Sequence, residues 1–516
     1  MPREKYQPDG RILALTQQVY ILPTVASRSV PSILFDQVHR FTSEHSYAAL
    51  AHPGIGILLS EAKAQNWEMN IGALNKPQDR EMALRLLQKG DIDLLFLSSL
   101  DIGLDLAGDI IRSCQDRDRR KIVVGGKGAT AAVKRFGIEF FSGASVVLGR
   151  GEGLTANIIN DSRRGELQPI YERGQPIDLK LCREEPYMDP ETTYVNIPYF
   201  RDAPIITIEF SDGCPYGCMM CPDGVTPITT YKTIADLEYE IDMRKLKPGL
   251  FGDRLLIGDN NLLAIAKDGR SGIPKDYLFE LFHMLKRKGI YWIGQGTIMD
   301  VFDDEELMKA WSESNCLSFL VGLESMTQPI KGAGVKAELV RRLPEVLEKL
   351  RKVYKIPILF SLLSCTDDET PEDFLETARL IKKYKLDVVL HIVQPRMGSQ
   401  LYQDVSKSGR WLEKNSSHRD SFELVHKPAK MEWREALAWF LWIKNKTTSV
   451  EWLYERYIIN KAYGGDMYAL PLLALEISSG FLAARRFNYL YPGLKPLVNI
   501  CEKEWEKRGY DKNIDN

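Results

Sequence analysis

The stretch S211-D-G-C-P-Y-G-C-M-M-C-P-D-G224 gathers three of the chain's eight cysteines into eight residues, interrupted by proline and glycine. Cys214, Cys218 and Cys221 follow the run IITIEF, whose β-branched and apolar residues predict a strand, so the cysteine loop leaves a strand's carboxyl end. Three residues separate the first pair and two the second. Thiolates are soft ligands for zinc and for iron–sulfur clusters, and a loop of this composition can wrap a small inorganic group. A structural zinc ion takes four ligands, and no nearby His or Cys supplies the fourth. A four-iron cluster held by three cysteines instead keeps one iron open. Cys114, Cys182, Cys316, Cys365 and Cys501 are scattered and read as reduced thiols in or near cores, not as a disulfide framework.

The surrounding chain has the size and composition for more than one core. It has 516 residues, 44% hydrophobic and 27% charged, with a formal charge of -2. That balance fits globular domains and gives no electrostatic basis for nucleic-acid binding. The start, MPREKYQPDG, lacks the apolar core of a signal peptide, and no apolar run is long enough to span a bilayer. A cytoplasmic location is expected.

Residues 1–160 alternate short apolar runs with helical patterns. Strands are expected at Arg11–Leu15, near Glu68–Ala73, at Asp93–Leu100, at Lys121–Gly126 and around Ser145–Leu148, with helices near Gly54–Gln65 and Asp79–Lys89. Such alternation predicts a doubly wound, mostly parallel α/β sheet, which binds ligands beyond its strands' carboxyl ends. Residues 161–203, rich in proline and charge, read as a linker. A second α/β unit over 204–425 has about six expected strands, ITIEF, RLLIG, YWIGQG, LSFLVGLE, PILFSLLS and VVLHIV, compatible with a partial or full barrel. Residues 426–516 carry aromatic-rich helical patterns, expected to form a helical cap closing the barrel's open end. Peripheral membrane contact is a second use for those helices.

The cysteine spacing, on a loop after the first strand of such a unit, resembles that of the radical S-adenosylmethionine (SAM) enzymes. The resemblance implies a [4Fe-4S] cluster held by Cys214, Cys218 and Cys221, whose open iron binds S-adenosylmethionine for cleavage to methionine and a 5'-deoxyadenosyl radical. An external donor such as flavodoxin or ferredoxin would supply the electron. Tyr216 stands where the family often places an aromatic residue near the adenine. I257-G-D-N-N261 resembles the segment facing the methionine part, making Asp259 and Asn260 cofactor-binding candidates; a cap on a helix beginning near Leu262 is the other role for Asp259. Gln295, in Q295-G-T297, and Glu324, in G322-L-E-S325, fall at later strand ends facing the cofactor. Q394-P-R-M-G-S-Q-L-Y402 resembles the loop that shapes backbone near the adenine.

The front unit resembles the cobalamin-binding domain attached to one subgroup of these enzymes. The likeness rests on H52-P-G-I-G-I-L-L59, the strand ending at Ser98 and Ser99, the turn at Gly125 and Gly126, and V147-L-G-R-G-E-G153 with Gly149 and Gly151. Small residues there let backbone approach a flat macrocycle. The Asp-x-His-x-x-Gly pattern that supplies a lower cobalt ligand in many cobalamin domains is missing. This implies base-off binding without a protein histidine, or a domain that kept its sheet and lost the cofactor. His39, His45 and His52 read as ordinary polar residues, while Gln17, Gln18 and Arg28 are candidates to approach the lower face. The resemblance implies a cobalamin-dependent (class B) radical SAM methyltransferase acting on an unactivated carbon of a small or medium-sized, partly apolar metabolite, with no nucleic-acid partner. Cyclisation or rearrangement on the same architecture is the alternative.

Overall fold

The computed structural model describes residues 10–16, 58, 61–73, 77–99, 103–173, 205–211, 213–222, 228, 231–243, 246–249, 254–267, 269–327, 334–419, 421, 423–465, 469–470, 472–473 and 491–510. The first sheet is built from β1 (Gly10–Thr16), β2 (Trp67–Ala73), β3 (Leu94–Ser98), β4 (Ile122–Gly125), β5 (Ser145–Leu148) and β6 (Ile170–Glu172), in the order β2-β1-β3-β4-β5-β6. Every pairing is parallel. The centre of β3, β4 and β5 is buried on both faces, as the uninterrupted apolar runs of a covered parallel sheet require. Leu95, Leu97, Ile122, Val124 and Val146 pack with the helices Leu104–Ser113 and Lys127–Phe136. Their neighbours Leu94, Phe96, Val123 and Val147 pack on the opposite face with Trp67 and with Ile158 and Ile159 of the helix Thr155–Arg164. The strand order reverses at β1, which lies between β2 and β3, so the sheet is doubly wound.

The front unit runs past residue 160. The helix Thr155–Arg164 and β6, paired with β5 from Val146↔Ile170 to Leu148↔Glu172, complete a sheet edge that the polar composition of this segment conceals. Residues up to Glu172, expected in a linker from 161, therefore belong to the front unit.

The second unit contains β7 (Ile205–Ile208), β8 (Arg254–Ile257), β9 (Tyr291–Gly296), β10 (Cys316–Glu324), β11 (Ile358–Ser364) and β12 (Val388–Ile392). They pair in sequential order and all in parallel. Helices including Lys275–Lys288, Glu305–Ser312 and Pro371–Tyr384 cover the outer face. β7 and β12 are the two edges in this order, so the unit is a partial, six-stranded barrel. Its outer wall is anchored by aromatic packing: Phe282 stacks on Trp292 at 5.9 Å, and Trp311 meets Phe319 edge-on at 4.8 Å.

Of the carboxyl-terminal residues expected to cap the barrel, Leu472 packs with Leu320, Leu359 and Val389 of the strands, whereas the aromatic helix flanks the wall. Trp433–Thr447 lies against β12 and the helix Pro371–Tyr384, with Trp439 stacked on Phe374 at 6.2 Å. Trp442 packs on Trp505 of the last helix, Lys495–Arg508, at 5.5 Å. From Ala436 to Lys444 every residue is buried, so this aromatic run is core and flanks the barrel wall. Among the described residues no helix is long and apolar enough to cross a membrane.

Lys444 is the unusual member of that helix. It is 1% exposed, its Nζ donates to the carbonyl of Leu390 at 2.9 Å, and burial pulls its pKa down to about 7 from an ordinary 10.5. In that window the unfolded chain binds the proton that the folded chain has released. Stability should therefore climb between pH 7 and 10.5, and on acidification this contribution should be fully lost by about pH 7. Lys444→Met should flatten this slope in thermal denaturation measured across the same pH range.

Candidate functional site

Both parallel sheets place their chemistry beyond the carboxyl ends of strands. At the exit of β7 the chain is held by Asp259 from the exit of β8. One carboxylate oxygen accepts from the amide of Phe210 at 3.0 Å, and the other from the amide of Ser211 at 2.9 Å and from the Ser211 hydroxyl. Asp259 is 1% exposed. Burial raises its pKa to about 7, against the opposing pull of the Ser211 hydroxyl and the Phe210 amide. Both oxygens face the start of the cysteine loop, so Asp259 is neither free for a methionine amine nor a helix cap. Leu262 and Leu263 form a turn where a helix start was expected.

Cys214, Cys218 and Cys221 are half-buried and take part in no disulfide. The amide of Cys221 donates to the carbonyl of Cys218 at 3.0 Å, closing a tight turn. Cys214, Tyr216 and Cys218 line a cleft of ≈210 Å³ with Asn260, Gln295, Gly322, Glu324 and Lys336. Among the described residues no three His, Cys, Asp or Glu side chains converge on a single-ion site. A four-iron cluster makes a different demand, because each thiolate binds its own iron. Three separate thiols on one turn, two of them opening into the cleft, fit that group.

Lys336 supplies the cleft's positive charge. It is paired with Glu324, which ends β10 in the left-handed backbone region at φ 63°. Burial opposes the ammonium, yet Glu324, Cys218 and Cys214 together hold its pKa above the usual lysine value. Burial likewise raises the Cys218 thiol, and Lys336 counteracts part of that rise. Gly322 leaves room for this pair, since a Cβ would lie 2.7 Å from Glu324 Oε1 and 2.9 Å from Lys336 Nζ and would displace those side-chain ends. Gln295 donates to the Asp259 carbonyl at 3.1 Å, while Asn261 and Thr297 exchange two hydrogen bonds at 3.0 and 3.2 Å. The Tyr216 hydroxyl donates to Asp300 and accepts from Arg270 at 2.9 Å, which fixes the ring at the cleft edge.

A larger cavity of ≈830 Å³ opens beyond β3, β4 and β5. Ser98, Gly125, Gly126, Gly149 and Gly151 line it. Ser99 is fully buried and does not line it. Its amide donates to the Gly125 carbonyl at 2.9 Å and its carbonyl accepts from Gly128 at 3.0 Å, bracing the turn. Gly126, at φ 96°, passes so close that a Cβ would sit 2.7 Å from the Ser99 oxygen. The barrel supplies the facing wall through Glu209, Pro222, Asn260, Gly398, Tyr402 and Gln403. Arg150 joins the two units with contacts of 3.0 Å to Glu152 and 3.6 Å to Glu209. Lys127 reaches Asn260 at 3.4 Å. Asn260 lines both the cavity and the cysteine cleft. Gln17, Gln18, Arg28, His39, His45, His52 and Cys182 lie outside the described residues.

Sequence inspection missed Lys336, Lys127 and Glu209. Lys336 stands in an unremarkable helical pattern twelve residues after Glu324, and its one signal is a charge among small and apolar neighbours in K331-G-A-G-V-K-A-E338. The loop 394–402 contributes Gly398 and Tyr402 to the large cavity, and neither to the cysteine cleft where an adenine was expected nearby.

Residues 208–381 match the family model of the radical SAM superfamily. Two solved structures of TsrM, a radical S-adenosylmethionine methyltransferase from Kitasatospora setae, share the fold at 13% identity and a TM-score of 0.55. The one with tryptophan and a SAM analogue bound covers 84% of this chain and 88% of its own; the one with cobalamin and a [4Fe-4S] cluster covers 93% and 100%. OxsB, a cobalamin-dependent S-adenosylmethionine radical enzyme, matches at 10% identity and a TM-score of 0.53 over 97% of this chain and 84% of its own. No curated protein sequence matches the chain.

Asp259→Ala would leave two buried amides and a hydroxyl without their shared acceptor, at about 1–3 kcal/mol for each such group. The expected outcome is a folded chain that retains several-fold less iron after anaerobic reconstitution, measured by iron and sulfide assay; wild-type iron content would contradict this role.

Proposed function

We propose that the chain is a radical SAM enzyme with the two-domain architecture of the cobalamin-dependent members, and that it transfers a methyl group to an unactivated carbon of a small or medium-sized, partly apolar metabolite. The observation that carries this reading is the shared wall: Asn260 borders both the cysteine cleft and the front cavity, so one substrate lodged beside it would face both.

In this proposal Cys214, Cys218 and Cys221 hold a [4Fe-4S] cluster, and the cleft bounded by Tyr216, Gln295, Glu324 and Lys336 receives S-adenosylmethionine. Cobalamin is cradled by Ser98, Gly125, Gly126, Gly149 and Gly151. When bound, the cluster with S-adenosylmethionine supplies a hydrogen-abstracting radical, and cobalamin supplies a transferable methyl group. The protein's own contribution is placement. Lys336 and Glu324 offer opposite charges to a zwitterionic amino acid, and Tyr216 is held still by Asp300 and Arg270. The carboxamide of Asn260 can both donate and accept at the junction, so it can orient a polar group on the acceptor. Glu209, Pro222 and Tyr402 close the barrel side of the cavity against water.

An external reductant such as flavodoxin or ferredoxin completes the scheme. The overall charge of -2 favours a metabolite over a nucleic acid as acceptor. The test is anaerobic incubation of the cobalamin-loaded enzyme with cell metabolites, reductant and methyl-labelled S-adenosylmethionine, followed by mass spectrometry. A labelled small-molecule product is expected, and replacing all three loop cysteines with Ala should abolish both it and 5'-deoxyadenosine. Substrate-dependent 5'-deoxyadenosine without incorporated label would reassign the enzyme to cyclisation or rearrangement, and label on RNA alone would overturn the substrate class.

A further inference from the structure

The loop that leaves β12 belongs to the barrel by sequence, yet its side chains are buried elsewhere. Met397 and Tyr402, 4% and 8% exposed, join the core of the front unit with Ile110, Ala129 and Ala132. Between them, the amide of Leu401 donates at 3.2 Å to the carbonyl of Met219, inside the cysteine loop. The Leu401 side chain packs in a cluster with Met219 and Met220. Gly398, at φ 96°, threads between the two units: a Cβ there would lie 3.1 Å from the Pro222 oxygen and 3.4 Å from Ala131 of the front helix. Ser399 then caps the helix Gln400–Lys407 by accepting from the Tyr402 amide at 3.1 Å.

Within six residues, therefore, one segment is keyed into the front core, bonded to the cysteine loop and built into the cavity wall. A second fastening acts from the same side of the barrel. The amide of Asp105 donates to the Ser416 hydroxyl at 3.0 Å, and the amide of Ser416 returns a bond to the Asp105 carboxylate at 2.5 Å. By contrast, the polar contacts across the cavity mouth, Arg150 to Glu209 and Lys127 to Asn260, are long at 3.6 and 3.4 Å. A buried apolar side chain in a close-packed core has few alternative positions, whereas long polar contacts tolerate sliding.

We propose that the segment Met397–Tyr402 is a strut that sets the separation and angle between the front cavity and the cysteine cleft, with Met397 as its principal positioning residue. The proposal rests on the two-cofactor reading above. Two groups must act in turn on one substrate carbon, and a misplacement of about 1 Å in such an arrangement costs on the order of a hundredfold in rate. Met397 lines neither cavity, so its influence runs through placement.

The test uses the full chain loaded with cluster and cobalamin, both brought to paramagnetic states, with their dipolar coupling read by pulsed electron paramagnetic resonance. Wild type should give one narrow distance distribution. Met397→Ala should broaden or lengthen it and lower methyl transfer at least tenfold, while 5'-deoxyadenosine formation without acceptor stays within about twofold; Met397→Leu, close in volume, should restore both. If Met397→Ala fails to fold, Gly398→Ala, which strains the segment without emptying the core, should shift the distribution. An unchanged distribution in the folded alanine variants overturns the strut. Failure of the wild type to bind cobalamin would instead remove the two-cofactor reading. The strut is then tested by the distance between nitroxides on keto amino acids at Lys89 and Lys352, exposed positions on the two units, where an unchanged distribution in Met397→Ala again overturns it.

Discussion

A buried carboxylate organises the site. Asp259 brings the exits of β7 and β8 together by taking hydrogen bonds from Phe210 and Ser211, and the cysteine loop starts from that fixed point. Its two successors do different work. Asn260 turns outward to form the wall between cleft and cavity, and Asn261 turns inward to bind Thr297 at the end of β9. Gln295 adds a bond to the Asp259 carbonyl. Three consecutive polar residues thus tie the loop, divide the cavities and brace the next strand. A carboxylate held by several N–H and O–H donors is rigid and costly to disturb.

Around this point the electrostatics are local. The chain as a whole is nearly neutral, but the cleft contains the Glu324–Lys336 pair beside two thiols. A lysine so placed favours the thiolate form required of cluster ligands. Its partner keeps it charged in spite of burial. The front cavity combines the small residues Gly125, Gly126, Gly149 and Gly151 with charged side chains such as Lys127, Arg150 and Glu209.

Much of this was legible in the sequence, for physical reasons that differ by element. Parallel strands buried on both faces read as short apolar runs, so β3, β4, β5 and the six barrel strands fall where expected. β6, at a sheet edge, is too short and polar to announce itself. The cysteine spacing identified its loop because ligand geometry is encoded locally. The partners of Asp259 were not legible, since hydrogen bonding to a residue 48 positions away leaves no local trace. Ser99 and Ser98 look equivalent in sequence, but the pleat turns one into the core and the other toward the cavity. The aromatic helix at 433–447 reads equally well as lid or wall. Its near-complete burial, including Lys444, settles it as wall, and the strut at Met397 was hidden because core membership across domains has no periodicity to reveal it.

Asn260 is the boundary between the two adjoining sites, each of which is proposed to hold its own cofactor. Iron and cobalt content per chain, by elemental analysis after anaerobic reconstitution with both cofactors and gel filtration, tests this. One cobalt should be retained for each [4Fe-4S] cluster. A full cluster with cobalt at background, in a chain shown to be folded, would contradict it.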